Sequence, residues 1–180
     1  MTTAGTKTVT VTYEGKTVSF DITVNETAVA RFEVVGGASV KTQGGVNYIV
    51  GLQTSLTKAK FQSTYIEYEN VKLTYEMTTS RYMGTGSTVT VTSTITGEVI
   101  GEYVIVIYGD VDGSATINGR DGSRIAASIA GTTSLSQAEK LAANVEGARV
   151  QINAKDKAVI QAVVAGTMII DQTTGKGVKI

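Results

Sequence analysis

From Lys7 the chain alternates. Thr8, Thr10 and Thr12 fall on one side of an extended strand, and Val9 and Val11 on the other. Tyr13 follows, and Glu14-Gly15-Lys16 supplies a turn. Val18, Phe20, Ile22 and Val24 then alternate with Thr17, Ser19, Asp21 and Thr23. A period of two on either side of a glycine turn predicts a β-hairpin. Further strands are expected at 28–35, 47–51, 65–68, 71–77, 87–92 and 102–108, punctuated by Gly36-Gly37, Gly44-Gly45, Gly84-Thr85-Gly86 and Thr96-Gly97. One short helix is expected at 55–61, with Leu56 and Phe61 as anchors and Ser55 or Thr57 as cap.

Near residue 109 the pattern changes. Thr, Val, Tyr and Gly give way to Ala, Ile, Asn and Asp. Residues 120–130 place Ile125 and Ile129 four apart, with Gly131 as stop. Residues 134–145 carry Leu135, Ala138, Leu141 and Ala142 behind Ser134 and Gln137, a capping-box spacing. Residues 155–165 carry Val159, Ile160, Val163 and Val164, closed by Gly166. The isoleucines and valines of these stripes are assigned to the core. The pattern predicts an α+β chain: an N-terminal β-sandwich or sheet module, then a C-terminal three-helix module.

The helical half repeats itself. Ile117-Asn118-Gly119-Arg120-Asp121 recurs 35 residues later as Ile152-Asn153-Ala154-Lys155-Asp156. Ile125 matches Ile160, Ile129 matches Val164, and Gly131 matches Gly166. Upstream, Val111-Asp112-Gly113 matches Val145-Glu146-Gly147. Counting Asp110 as loop position 1, oxygen side chains stand at Asp110, Asp112, Ser114, Asn118 and Asp121, and Thr116 offers its carbonyl. Alternate oxygens of a curled loop, closed by one from the first helical turn, are what a Ca²⁺ ion needs to collect six to eight hard ligands.

Gly-Asp-Val-Asp-Gly-x-x-x-Ile-Asn-x-x-Asp followed by one helix, and duplicated, resembles a dockerin repeat. The match spans Gly109 to Ala165. Residues 46–108 resemble the X-modules that precede dockerins, and residues 5–24 the closing hairpin of a bacterial immunoglobulin-like domain. The resemblance implies a tail hairpin at 1–25, an X-module-like domain at 26–108, a dockerin-like domain at 109–170 and a C-terminal tail at 171–180. It implies a non-catalytic assembly module that docks an extracellular or cell-surface protein onto a cohesin-like domain, with polysaccharide reached through the parent protein. It also implies Ca²⁺ at Asp110, Asp112, Ser114, Thr116 and Asp121, in at most one site. The second loop offers Asn144, Glu146, Asn153 and Asp156, but it is one residue longer, and Ala148 and Arg149 stand near the third ligand position. Metal is expected to be weak at the first loop and negligible at the second. Ala115 takes the position where calcium loops use Gly, at a cost of about 1 kcal/mol. Packing by Ile117, Ile152, Leu141 and Val163 is expected to support a loop without metal.

Carried over from dockerins, the partner-binding positions are Gly119, Arg120, Ala126 and Ala127, and in the second copy Ala154, Lys155, Gln161 and Ala162. Their near symmetry would permit two binding orientations. An alternative is a carbohydrate-binding or adhesion β-module braced by a metal-free dockerin-like domain.

Composition narrows the chemistry. The chain has no His, Cys, Trp or Pro, and 16 basic residues balance 16 acidic ones. Without His the usual general base is missing, and without Cys and His no tetrahedral zinc site can form. No basic tract points to nucleic acid, and no apolar run is long enough to span a membrane. Met1 does not open a signal sequence, so the chain is expected to be the tail end of something larger. Tyr65, Tyr68, Tyr75 and Tyr82 as a sugar face, and Glu67, Glu69 and Glu76 as glycosidase acids, are the remaining alternatives; strand faces explain both more simply.

Overall fold

The computed structural model describes residues 4–24, 28–147 and 151–180. The expected hairpin is present: β1 (Gly5–Tyr13) pairs antiparallel with β2 (Lys16–Val24). Its turn holds Glu14 at φ 46° and Gly15 at φ 76°. Two consecutive positive φ angles match the right-handed twist of the flanking strands. The threonine face is closed by cross-strand bonds from Thr8 to Asp21, between Thr10 and Ser19, and between Thr12 and Thr17. The apolar face, with Val11, Val18, Phe20 and Ile22, is exposed.

The main body is built on a five-stranded sheet in the order β4-β5-β9-β8-β7. These are β4 (Ser39–Gln43), β5 (Val46–Val50), β7 (Val71–Glu76), β8 (Thr88–Ser93) and β9 (Val99–Ile105). The β5–β9 pair is parallel and its neighbours are antiparallel. A two-stranded sheet of β3 (Arg31–Val34) and β6 (Ile66–Glu69), with α1 (Lys58–Thr64), covers one face. Thr57 caps α1, its side chain accepting from the Lys60 N–H.

Alternation along two strands sends side chains to two cores. Ile49, Ile105 and Ile107 join Leu52, Leu56, Phe61, Met83, Val89 and Val91 on one side. Tyr48, Val50, Val106 and Tyr108 point the other way. There they meet Ile125, Leu135, Ala142, Val145 and Ile160 from α2 (Gly119–Ile129), α3 (Gln137–Ala143), α4 (Ala154–Val164) and the loops between them. A one-residue slip would exchange the two sets, so the two cores together fix the register.

The C-terminal half is not a three-helix module. A second hairpin, β10 (Met168–Asp171) with β11 (Lys176–Lys179), follows α4. With 4 helices and 11 strands among the described residues, the protein is a mixed α/β fold dominated by sheet. The hairpin is no loose tail. Ile170 is buried in the helical core. Gln172 accepts from the Tyr108 N–H at 2.9 Å and donates to the Tyr108 carbonyl at 2.8 Å, standing in for a strand partner. Helix α3 begins two residues later than its sequence predicts: Ser136 and Glu139, not Ser134 and Gln137, form its capping box. Among the described residues no helix is long and apolar enough to cross a membrane.

Candidate functional site: a duplicated loop–helix unit

The repeat read in the sequence is a repeat of hydrogen bonds. In the first copy the Asp121 carboxylate accepts from the N–H groups of Val111 at 2.7 Å, Asp112 at 3.0 Å and Asn118 at 2.8 Å. In the second, Asp156 accepts from Val145 at 3.0 Å, Glu146 at 2.9 Å and Asn153 at 2.9 Å. Asn118 and Asn153 cap their helices with matching geometry, and both helices carry a capping box. Thr132 and Thr167 close the two helices by donating to the Ala127 and Ala162 carbonyls. Each buried aspartate thus pins a loop onto the helix that follows it.

Only the first copy gathers three carboxylates among the described residues. Oxygens of Asp110, Asp112 and Asp121 lie within 4.8 Å of one another. Asp110 and Asp121 are buried. Burial pushes the Asp110 carboxyl up to about 7; the Thr85 and Ala115 N–H groups oppose this, and the charges of Asp121 and Asp112 add to it. Asp121 is raised too, chiefly by burial. A cation among three crowded carboxylates would relieve the repulsion. The triad, an all-oxygen set, can hold a metal ion. Ser114 bonds to Thr116, and Asn118 donates to Thr116 Oγ1. Ala115 adopts φ 66° despite its Cβ, so the loop keeps the left-handed turn that favours glycine.

The second loop has a different electrostatic arrangement. Lys155 Nζ stands 3.3 Å from Glu146 Oε1, placing an ammonium beside the counterpart of Asp112. Asn144 is the C-cap of α3 and lines a cleft. Ala148 and Arg149 lie outside the described residues.

Both loops are held from outside. Thr85 N–H donates to Asp110 Oδ2 at 2.8 Å, Thr78 Oγ1 to the Gly113 carbonyl at 2.7 Å, and Ser55 N–H to the Ala115 carbonyl at 2.7 Å. Gly84 lies so close that a Cβ there would collide with the Gly113 carbonyl. On the second loop, Gly177 N–H donates to the Val145 carbonyl at 2.9 Å, and the Lys176 stem lies over Gly147. The sheet module therefore clamps the first loop, and the C-terminal hairpin clamps the second.

Helices α2 and α4 pack side by side. Gly122 sits against Ile160 and Lys157, while a groove joins Gly119 at the start of α2 to Val164 at the end of α4, so the two run antiparallel. Of the proposed partner positions, Gly119, Ala126 and Gln161 line this groove, and Ala154 and Lys155 line a second cleft with Ile129. Gly119, Arg120, Ala154, Lys155 and Gln161 are exposed, and Ala126, Ala127 and Ala162 half-buried. Ile129 and Val164, assigned to the core from the sequence, are not core residues. They are 49% and 53% exposed. Each lies on the face of a buried isoleucine, Ile125 or Ile160, but one turn further on, in the last turn of its helix, so burial of the stripe stops one turn short of the helix end. Both stand two residues before the glycine stop of their helix, the position in the sequence that marks them apart from Ile125 and Ile160.

The tyrosines do not form a sugar face. Tyr65 is buried, and Tyr75 packs edge-on against Phe61. Glu67 lies 3.8 Å from Arg31 on an exposed strand face.

No family model, curated protein or solved structure matches this chain.

Proposed function

We propose that the chain is a non-catalytic, dockerin-like assembly module whose outer α2–α4 surface docks onto a cohesin-type domain of another extracellular or cell-surface protein. The observation that carries this reading is the duplication: two loop–helix units with the same aspartate clamp, the same caps and the same half-exposed apolar residue, Ile129 in one and Val164 in the other. A structural duplication that also repeats exposed apolar positions is economical for a binding surface and unnecessary for a core. Lys155 lines a cleft with Ile129, Arg120 occupies the equivalent place in the other copy of the repeat, and the near symmetry supports docking in either of two orientations. In this reading Ca²⁺ is the ion of the first loop, held by Asp110, Asp112 and Asp121 with help from Ser114 and the Thr116 carbonyl.

A second reading is favoured by the clamps. Loops fastened from outside by Thr78, Thr85 and Gly177 suit a brace that holds a carbohydrate-binding or adhesion β-module. The two readings separate in one experiment. The purified chain, in Ca²⁺ and in EDTA, is titrated against a panel of cohesin-type domains and a glycan array. Saturable binding to a cohesin-type domain supports docking. Binding to glycans alone supports the brace, and binding to neither removes both.

A further inference from the structure

The β1–β2 hairpin sorts its side chains by face. The bonds of Thr8, Thr10 and Thr12 to Asp21, Ser19 and Thr17 put these pairs on one side. The alternate pairs, Lys7–Ile22, Val9–Phe20, Val11–Val18 and Tyr13–Lys16, therefore share the other. That face is apolar, with a lysine at each end. Among the described residues no part of the hairpin enters either core. Val11, Tyr13, Val18, Phe20 and Ile22 are 45% to 74% exposed. A lone two-stranded hairpin is marginal in water, so cover on this face would stabilise it.

We propose that the cover is the same face of a second copy of this chain, laid antiparallel on the first. The four pairs are disposed evenly about the midpoint between Val9–Phe20 and Val11–Val18. A two-fold axis there, crossing the strands in the plane between the two hairpins, sets Val9 on Val11 and Phe20 on Val18 of the second copy. The same operation brings Lys7 opposite the ring of Tyr13 and beside the turn residue Glu14, while the stem of Lys16 covers Ile22. A parallel arrangement would crowd both copies of Glu14 at one end. It would leave both copies of Lys7 at the other with no carboxylate on that face, so charge selects the antiparallel one. At on the order of 100 Å² for each exposed apolar side chain, the dimer buries roughly 1,000 Å² in total, the lower end of what a specific interface needs. The association is therefore weak and reversible. It does not depend on docking through α2 and α4.

Lys7 and Glu14 lie at opposite ends of the hairpin, about 20 Å apart or more at the rise of a strand, so they can meet only between copies. Sedimentation equilibrium of the intact chain, at low ionic strength and from micromolar to millimolar concentration, provides the test. The expected result is reversible monomer–dimer association. Lys7→Glu and Glu14→Lys should each weaken it about tenfold, and the two together should restore it to within about threefold. Val11→Thr/Val18→Thr keeps the branched residues that strands favour and should weaken the dimer about tenfold or more. A chain that stays monomeric throughout overturns the proposal. So does a dimer indifferent to Val11→Thr/Val18→Thr, or a double charge variant that associates no better than the single ones.

Discussion

Asp121 and Asp156 do the same work with different neighbours. Each is buried and accepts three backbone N–H groups, so truncation leaves three donors unpaired away from water. Asp156→Ala should therefore cost about 3 kcal/mol or more, read as a shift in denaturant midpoint. Asp112 is different, since it lies on the solvent side and holds little of the fold. Asp112→Asn should leave the melt in EDTA nearly unchanged and abolish any rise in melting temperature on adding Ca²⁺. For the unchanged protein that rise should correspond to about 2.7 kcal/mol at a hundredfold excess of Ca²⁺ over its dissociation constant. Tyr75 makes a converse case. Its hydroxyl is buried without a partner of hydrogen-bond geometry, and burial pushes the phenol up to about 12, although the nearby Gln62 side chain offsets part of the shift. Tyr75→Phe should be neutral or stabilising by about 1 kcal/mol in the same assay. The aspartates were legible in the sequence because loop spacing and duplication marked them. The outside clamps were not. Thr78, Thr85 and Ser55 reach the first loop from positions 25 to 60 residues away, by roughly the same short bonds any turn makes, and no local pattern encodes such a contact.

At the scale of elements, the strongly periodic segments were readable, and so were the short ones with anchoring apolar residues, such as β3, β6 and α1. Helices α2 and α4 announce themselves by Asn caps, aspartates in the first turn and glycine stops. Strand β4 hides because every residue in it is exposed, so burial imposes no alternation. The β10–β11 hairpin hides because β10, Met-Ile-Ile-Asp, is an unalternating apolar run and β11, Lys-Gly-Val-Lys, carries a single branched residue. Its turn signal, Thr173-Thr174-Gly175, was present. The position of Gln172 makes this hairpin a latch between the second repeat and the sheet. Gln172→Ala removes both bonds to the Tyr108 backbone and should destabilise the protein by about 2 kcal/mol, measured by chemical denaturation. An unchanged midpoint would mean that Ile170 and the Gly177–Val145 bond hold the hairpin without Gln172.

As a whole molecule, the sheet joins the two halves. One face of its central strands belongs to the core of the β-module and the other to the core of the helices, so neither half can lose its packing without exposing the other. That arrangement predicts one cooperative unfolding transition for residues 28–180, with near-ultraviolet and far-ultraviolet signals coincident. The division at 108/109 read from composition marks a change of element type; the two cores meet across it. Assembly is the central claim, and the paired apolar residues of α2 and α4 test it most directly. The measurement is the affinity of a cohesin-type domain that binds the wild-type chain for the Ile129→Asp/Val164→Asp double variant, with melting temperature as control. Both side chains are about half exposed, so the fold should survive. We predict a loss of affinity of about 100-fold or more with an unchanged melt. Unchanged affinity in a folded variant would contradict docking through this surface.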